Sequence, residues 1–178
     1  LCTYIFGFEE SCGYLRGTHC RDKDAVVASM LFAEMVCYYN TIGVGIWQRL
    51  NELYAKFGYV YDTNVSVNYS GLNAMTEMNA VVDKMKTVSA KTIGGIKVEA
   101  IRDYSIAKRK LANGEEEDID SAKTNAVYYE LKGGSFICIR PSGTEPKLKV
   151  YYSVKAENKE VAETLFAKVK KSFEKLIK

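Results

Sequence analysis

The stretch FICIRPSGTEPKLKVYY, residues 136–152, decides how the second part of the chain is read. Two runs that alternate like strands enclose an Arg, a Pro and a Ser-Gly-Thr turn. In the second run Leu148 and Val150 point to one face, and Lys147 and Lys149 to the other, because side chains alternate along a strand. Arg140 carries a planar fork of donors suited to a phosphate or carboxylate. Ser142 and Thr144 offer hydroxyls, Gly143 permits a positive φ and a close approach of backbone to ligand, and successive N–H groups in such a turn can form an anion-binding nest. Pro141 stiffens the entry without adding a donor. The loop is not a Walker A motif, since GxxxxGK[ST] and its helix are absent. On these residues alone, an anion clamp and a polar hairpin with a charged tip both stand.

Outward from that loop, the chain reads as strands covered by helices. A closing helix over 158–178 places Val161, Leu165, Val169, Phe173 and Leu176 on one stripe, with lysines opposite. Strands are predicted over Ile96–Ile101 and Ala126–Leu131, and a helix over Ala74–Val88 with Met78, Val81, Val82 and Met85 on one face. The acidic stretch NGEEEDID, residues 113–120, lacks the EF-hand spacing and reads as a solvated loop. YVYDTNVSVNYSG, residues 59–71, is a strand or an extended linker, and the domain boundary is placed beside it, near residue 60. The part from 60 to 178 is therefore α+β.

Before residue 60 the pattern changes. Tyr4-Ile5-Phe6 reads as the end of a buried strand, followed by a polar loop through Arg21. A chain that opens inside such a strand, with no starting Met, reads as a fragment. A helix is predicted from Asp22, with Asp22 and Asp24 suiting its N-terminal dipole, and it is apolar enough to be packed on more than one side. Gly43 and Gly45 break it, and a second helix runs from Ile46 to Phe57, stopped by Gly58.

The whole chain has 178 residues, a formal charge of +3 and 2 prolines. That balance gives no basic stripe for nucleic acid, and no apolar run approaches the ~20 residues needed to span a bilayer. Neither nucleic acid nor membrane is expected as a partner. The 5 cysteines form no CxxC pair, so reduced thiols in a cytosolic setting are expected rather than a zinc site or disulfide framework. No metal ligands are assigned.

A second polar stretch, GFEESCGYLRGTHCRDKD, occupies residues 7–24. Glu9 and Ser11 are two apart, so on extended backbone they project to one side, where a carboxylate and a hydroxyl suit adjacent sugar hydroxyls. Gly7 and Gly13 flank them. Lys23, beside Arg21 at the start of a helix, suits a phosphate or a transferring phosphoryl group. The plainer readings also stand: a surface loop or N-cap for Glu9 and Ser11, and a salt bridge to Asp22 or Asp24 for Lys23. His19, the one histidine, is a loop residue that could line a site, and a pairing with neighbouring Cys20 is disfavoured by their adjacency.

Together, GFEES…GTHCRDKD and RPSGTEPKLKVYY resemble the α-D-phosphohexomutases, the phosphoglucomutase and phosphomannomutase superfamily, in order and across essentially the whole chain. The resemblance implies an α/β fragment, the end of a third, sugar-binding domain over 1–59, followed by a complete fourth domain over 60–178 with a TATA-box-binding-protein-like α+β fold. It implies that Glu9 and Ser11 bind sugar hydroxyls and that Lys23 stands near the phosphoryl-transfer centre. Arg140, Ser142, Gly143 and Thr144 would hold the non-reacting phosphate, helped by a non-bidentate Lys149. The implied reaction moves phosphate between C1 and C6 of a hexose phosphate through a phosphoserine and a bisphosphate, glucose 1,6-bisphosphate for a glucose enzyme, with Mg2+. The phosphoserine loop and the Asp-x-Asp-x-Asp magnesium loop of the family are absent from these residues, so missing N-terminal domains of the same protein are the expected partner and the chain alone should be inactive. Some relatives carry Gly-His directly after Glu-x-Ser. Here Cys12-Gly13-Tyr14 follows, which tilts the expected substrate toward glucose phosphates or a pentose relative. A phosphomannomutase, a phosphopentomutase and a free-standing sugar-phosphate-binding module remain the alternatives.

Overall fold

The computed structural model describes residues 3–9 and 12–177, and the chain divides into two units, Leu1–Lys56 and Phe57–Lys178. In the first unit, β1 (Gly7–Glu9) and β2 (Gly13–Leu15) pair antiparallel, with Phe8 opposite Tyr14 and Glu9 opposite Gly13. The stretch expected to be a polar loop is thus partly a hairpin. The Phe6 ring lies 6.1 Å from those of both Phe8 and Tyr14, stacked on the latter, and Cys12, at φ 63, supplies the turn. Tyr4-Ile5-Phe6, in contrast, is not a buried strand end. The three residues are exposed and carry no strand pairing, because a strand needs a neighbour to take its backbone hydrogen bonds and no described strand lies beside them.

Helix α1 (Ala25–Thr41) starts later than expected. Asp24 is its N-cap, its Oδ1 accepting from the Val26 and Val27 N–H groups at 3.0 Å, while Asp22 takes the Lys23 backbone N–H instead. α2 (Ile46–Phe57) has the expected bounds. The expectation that α1 is packed on more than one side is not met: none of its residues is buried, and Val26 is 82% exposed. Within its unit α1 meets β2, too little surface to cover so apolar a helix. No single described helix is long and apolar enough to cross a membrane.

The second unit comprises β3 (Tyr59–Asn68), α3 (Ala74–Thr87), β4 (Thr92–Ile93), β5 (Ile96–Asp103), β6 (Lys108–Leu111), β7 (Glu116–Asp118), β8 (Val127–Leu131), β9 (Ser135–Pro141), β10 (Lys147–Ala156) and α4 (Lys159–Ile177). One antiparallel sheet runs β3-β10-β9-β8-β5-β6-β7, with β4 paired to β5. Alternate residues of the central strands (Val127 and Tyr129, Ile137 and Ile139, Leu148, Val150 and Tyr152) form one core with Met78, Val82 and Met85 of α3 and Val169 and Phe173 of α4. Tyr129 and Tyr152 each meet Phe173 edge-on. The Tyr129 hydroxyl donates to the Met85 carbonyl at 2.5 Å, so the one polar atom it carries inward is satisfied. α4 begins at an Asn158 cap, whose Oδ1 accepts from Val161 N–H. Its buried face holds Ala162 where the stripe anticipated Val161, which is 40% exposed; the small residue lets the first turn come close to its neighbours.

The acidic stretch is not wholly a loop. Glu116, Glu117 and Asp118 form an edge strand whose partners in β6 are Lys110, Arg109 and Lys108. Lys108 Nζ meets Asp118 at 2.7 Å and Arg109 meets Glu117 at 2.7 Å, so opposite charges fix the register. Behind them Glu130 takes bonds from both Arg109 and Arg102, and Arg102 also lies over the Tyr128 ring. The Arg109 hydrogen bond, ahead of the others, holds the Glu130 carboxyl below its ordinary range against the opposing effect of burial. Because its folded value is depressed, its contribution to stability is complete above the ordinary glutamate range and is lost as pH falls through the lowered value. Glu130→Gln should therefore cost about 1 kcal/mol at pH 7. Urea denaturation of wild type and variant at pH 7 and near pH 3 should show the two converging in acid; a constant gap would remove the ion pair as the cause.

Candidate functional site

The second unit builds a cationic row on the sheet face opposite the core. β9 ends at Pro141 and β10 begins at Lys147, and the register sets Arg140 opposite Lys149. Their neighbours Ile139, Leu148 and Val150 are buried, so alternation puts the Arg140 and Lys149 side chains together on the other face, where both are exposed. Among the described residues, no carboxylate lies within ion-pair distance of either, whereas Lys147 is engaged by Glu145 at 3.2 Å. Two uncompensated cations side by side repel each other and attract an anion. On β3, Ser66 is the register partner of Lys149, which extends the row with a hydroxyl. Nothing in either strand alone signals Ser66; it joins through the β3–β10 pairing.

The loop between these strands is closed by the Ser142 N–H on the Lys147 carbonyl at 2.8 Å and by the Lys147 N–H on the Glu145 carbonyl at 2.7 Å. A further bond from Tyr69 N–H to the Pro146 carbonyl, 2.9 Å, ties it to the end of β3. Gly143 and Thr144 are exposed at the tip. Gly143 does not take the left-handed backbone expected of it, since the two closing bonds complete the turn without it. An added Cβ at Gly143 would meet nothing within 4 Å, so what the glycine offers is open backbone. Beside Arg140, burial pushes the Cys138 thiol up to about 11, against a smaller opposing pull from the Arg140 charge. Cys138 is thus a neutral packing group and not a nucleophile.

In the first unit, the hairpin and the start of α1 bring Glu9 and Lys23 together: Lys23 Nζ stands 3.5 Å from Glu9 Oε1 and 3.3 Å from Asp22 Oδ1. Of the two salt bridges anticipated for Lys23, that to Asp22 forms; Asp24 is occupied with capping. The hydrogen bond to Asp22, then its charge and that of Glu9, raise the Lys23 pKa and keep it cationic. A bond from Asp24 N–H to the Tyr14 carbonyl, 2.7 Å, fastens the helix start to β2. His19 braces the same junction, its Nε2 2.7 Å from Asp24 Oδ2, so its partner is the helix cap. Ser11 lies outside the described residues. Among the described residues no group of three or more His, Cys, Asp or Glu side chains could hold a metal ion, so no Mg2+ ligand is assigned here.

The family model for the phosphoglucomutase/phosphomannomutase C-terminal domain matches residues 77–171, and that for the alpha/beta/alpha domain III matches residues 2–57. The phosphoglucomutase of Staphylococcus haemolyticus is 35% identical over 157 residues, 88% of this chain and 28% of the relative. That of a bovine strain of Staphylococcus aureus is 36% identical over 155 residues, 86% of this chain and 28% of the relative. The chain thus spans 28% of the length of these relatives. A crystal structure of the Paramecium phosphoprotein parafusin, a phosphoglucomutase in an open form, shares the fold. Its TM-score is 0.59 at 19% identity, over 94% of this chain and 29% of that one.

Proposed function

Because the chain belongs to the phosphoglucomutase/phosphomannomutase family, we propose that it is the sugar- and phosphate-holding part of a phosphoglucomutase that interconverts glucose 1-phosphate and glucose 6-phosphate. The observation that carries this reading is the pair of uncompensated cations, Arg140 and Lys149, set in register beside the RPSGTEP loop. Arg140, with Lys149 and the loop donors Ser142, Gly143 and Thr144, grips the phosphate that is not reacting. Glu9, with Ser11, accepts from and donates to the sugar hydroxyls, and Lys23 meets the reacting phosphoryl group. Residues 1–59 are then the end of a sugar-binding third domain, and 60–178 a fourth domain of TATA-box-binding-protein-like fold.

A phosphoserine supplied by sequence other than these residues gives its phosphoryl group to the free sugar hydroxyl. The bond from phosphorus to the serine oxygen breaks as that to the sugar oxygen forms, the sugar hydroxyl gives up its proton while the serine oxygen gains one, and glucose 1,6-bisphosphate and a free serine result. After the sugar turns round, the serine recovers the other phosphate. Mg2+, held by ligands outside this stretch, would supply polarisation of the reacting phosphate in the full-length protein. The clamp tolerates either phosphate because charge and hydrogen bonding, not the position on the ring, define it; positioning and charge stabilisation carry phosphoryl transfer. The described cysteines are free, which suits a reducing cytosol.

The test is to assay the full-length protein on glucose, mannose, glucosamine and ribose phosphates. Fastest turnover is expected with glucose 1-phosphate, and none from residues 1–178 alone. Preference for another sugar would displace the glucose reading, and turnover by residues 1–178 would overturn the division of labour. Glu9→Ala should reduce the glucose-over-mannose preference in kcat/KM by roughly tenfold, as when a bond to one epimer's hydroxyl is lost. An unmoved ratio would take Glu9 out of the sugar site.

A further inference from the structure

Gly13 is buried in the hairpin, opposite Glu9. A Cβ added to it would fall 2.4 Å from Lys23 Cδ, 2.7 Å from Lys23 Cγ and 2.6 Å from Glu9 Oε1. Carbon atoms in contact stay about 3.5–4.0 Å apart, so any side chain there evicts the lysine stem. Backbone conformation is not the reason for the glycine, because Gly13 does not have a positive φ. The requirement is space: Lys23 reaches Glu9 by lying across bare backbone. Its ammonium is then held between Glu9 and Asp22, which keeps it a fixed cation and not a proton carrier.

We infer that Gly13 is a positioning residue for Lys23: its missing side chain fixes the path of the lysine across the hairpin, and so the place of the cation that meets the reacting phosphoryl group. This rests on the role of Lys23 proposed above. The atoms a Gly13 side chain would displace belong to flexible side chains and not to backbone, so the fold should survive substitution while the cation moves.

A double-mutant cycle in the full-length enzyme tests it. Gly13→Ala should lower kcat on glucose 1-phosphate by about tenfold or more, with KM changed much less, because a misplaced group costs chiefly in the transition state. Lys23→Ala should lower kcat at least as much. Adding Gly13→Ala to Lys23→Ala should then cost far less than it costs in wild type, since the lysine is gone and only the Glu9 carboxylate is left to move aside. Multiplying losses, or a Gly13→Ala enzyme with wild-type kcat while Lys23→Ala is impaired, would overturn the inference and leave the role of Lys23 standing. A Lys23→Ala enzyme of undiminished kcat would bring down that role and the inference with it. Melting temperatures close the same cycle without activity. Should Gly13→Ala melt below wild type, the double variant must fall below Lys23→Ala by less than that difference; an equal difference overturns the inference.

Discussion

Arg140→Ala in the full-length enzyme should raise the KM for glucose 1-phosphate by roughly 30-fold or more, the loss of about 2 kcal/mol expected for a charge-assisted contact. In the role proposed for Arg140 the phosphate it holds does not react, so it would be gripped alike in ground and transition states, and losing such uniform binding should appear in KM with little change in kcat. Arg140→Lys should fall between wild type and Ala, keeping the charge but losing the planar fork. Lys149→Ala should cost less than Arg140→Ala, because an ammonium is a single point of charge. The two are register partners on adjacent strands, so the double variant should lose less than the product of the single effects. Raising ionic strength should weaken substrate binding in wild type more than in Arg140→Ala. A KM unchanged in Arg140→Ala would mean that the RPSGTEP loop is a charged hairpin after all.

Much of the second unit was legible because its strands obey period-two alternation and its helices a clear apolar stripe. The faces of Leu148, Val150 and Lys149 in β10, and the stripe of Met78, Val82 and Met85, appear as the residues implied. β6 and β7 were not legible, since a KRK run and an EED run each look solvated alone; only their pairing, Lys108 to Asp118 and Arg109 to Glu117, makes them strands. The same holds for the site. Arg140 announced itself by type and setting, but Ser66 joins the row through the alignment of β3 with β10, and a single strand does not encode its partner. In the first unit, local chemistry pointed to Glu9 and Lys23 separately. Their meeting depends on the hairpin and on the bare backbone of Gly13, which no helical or strand period reveals. The apolar α1 misled for a related reason: a stripe states what a helix can bury, not what is present to bury it.

Gly94→Ala should destabilise the second unit by about 3 kcal/mol or more, combining the roughly 1–2 kcal/mol cost of a left-handed non-glycine residue with overpacking of about 1–3 kcal/mol. Gly94 sits in the β4–β5 turn at φ 60, and an added Cβ would fall 2.5 Å from Val169 Cα and N and 2.8 Å from the Lys168 carbonyl carbon. Those are backbone atoms of α4, so no rotamer change relieves the clash and the helix itself must lift. Val169 and Phe173, wholly buried on that helix, would be drawn from the core they share with Tyr129 and Tyr152. Gly95 supplies the control: it too has a positive φ, 87, yet an added Cβ there meets nothing within 4 Å. Gly95→Ala should therefore carry only the backbone cost, about 1 kcal/mol. Urea denaturation of both variants separates the two causes, and equal losses would show that strain in the turn, and not the approach of α4, dictates the glycine pair. The consequence reaches the proposed phosphate clamp, because α4 packs on β10 and β3, the strands that carry Lys149 and Ser66. A folded fraction of Gly94→Ala with α4 lifted should bind hexose phosphate less tightly even with every residue of the clamp intact.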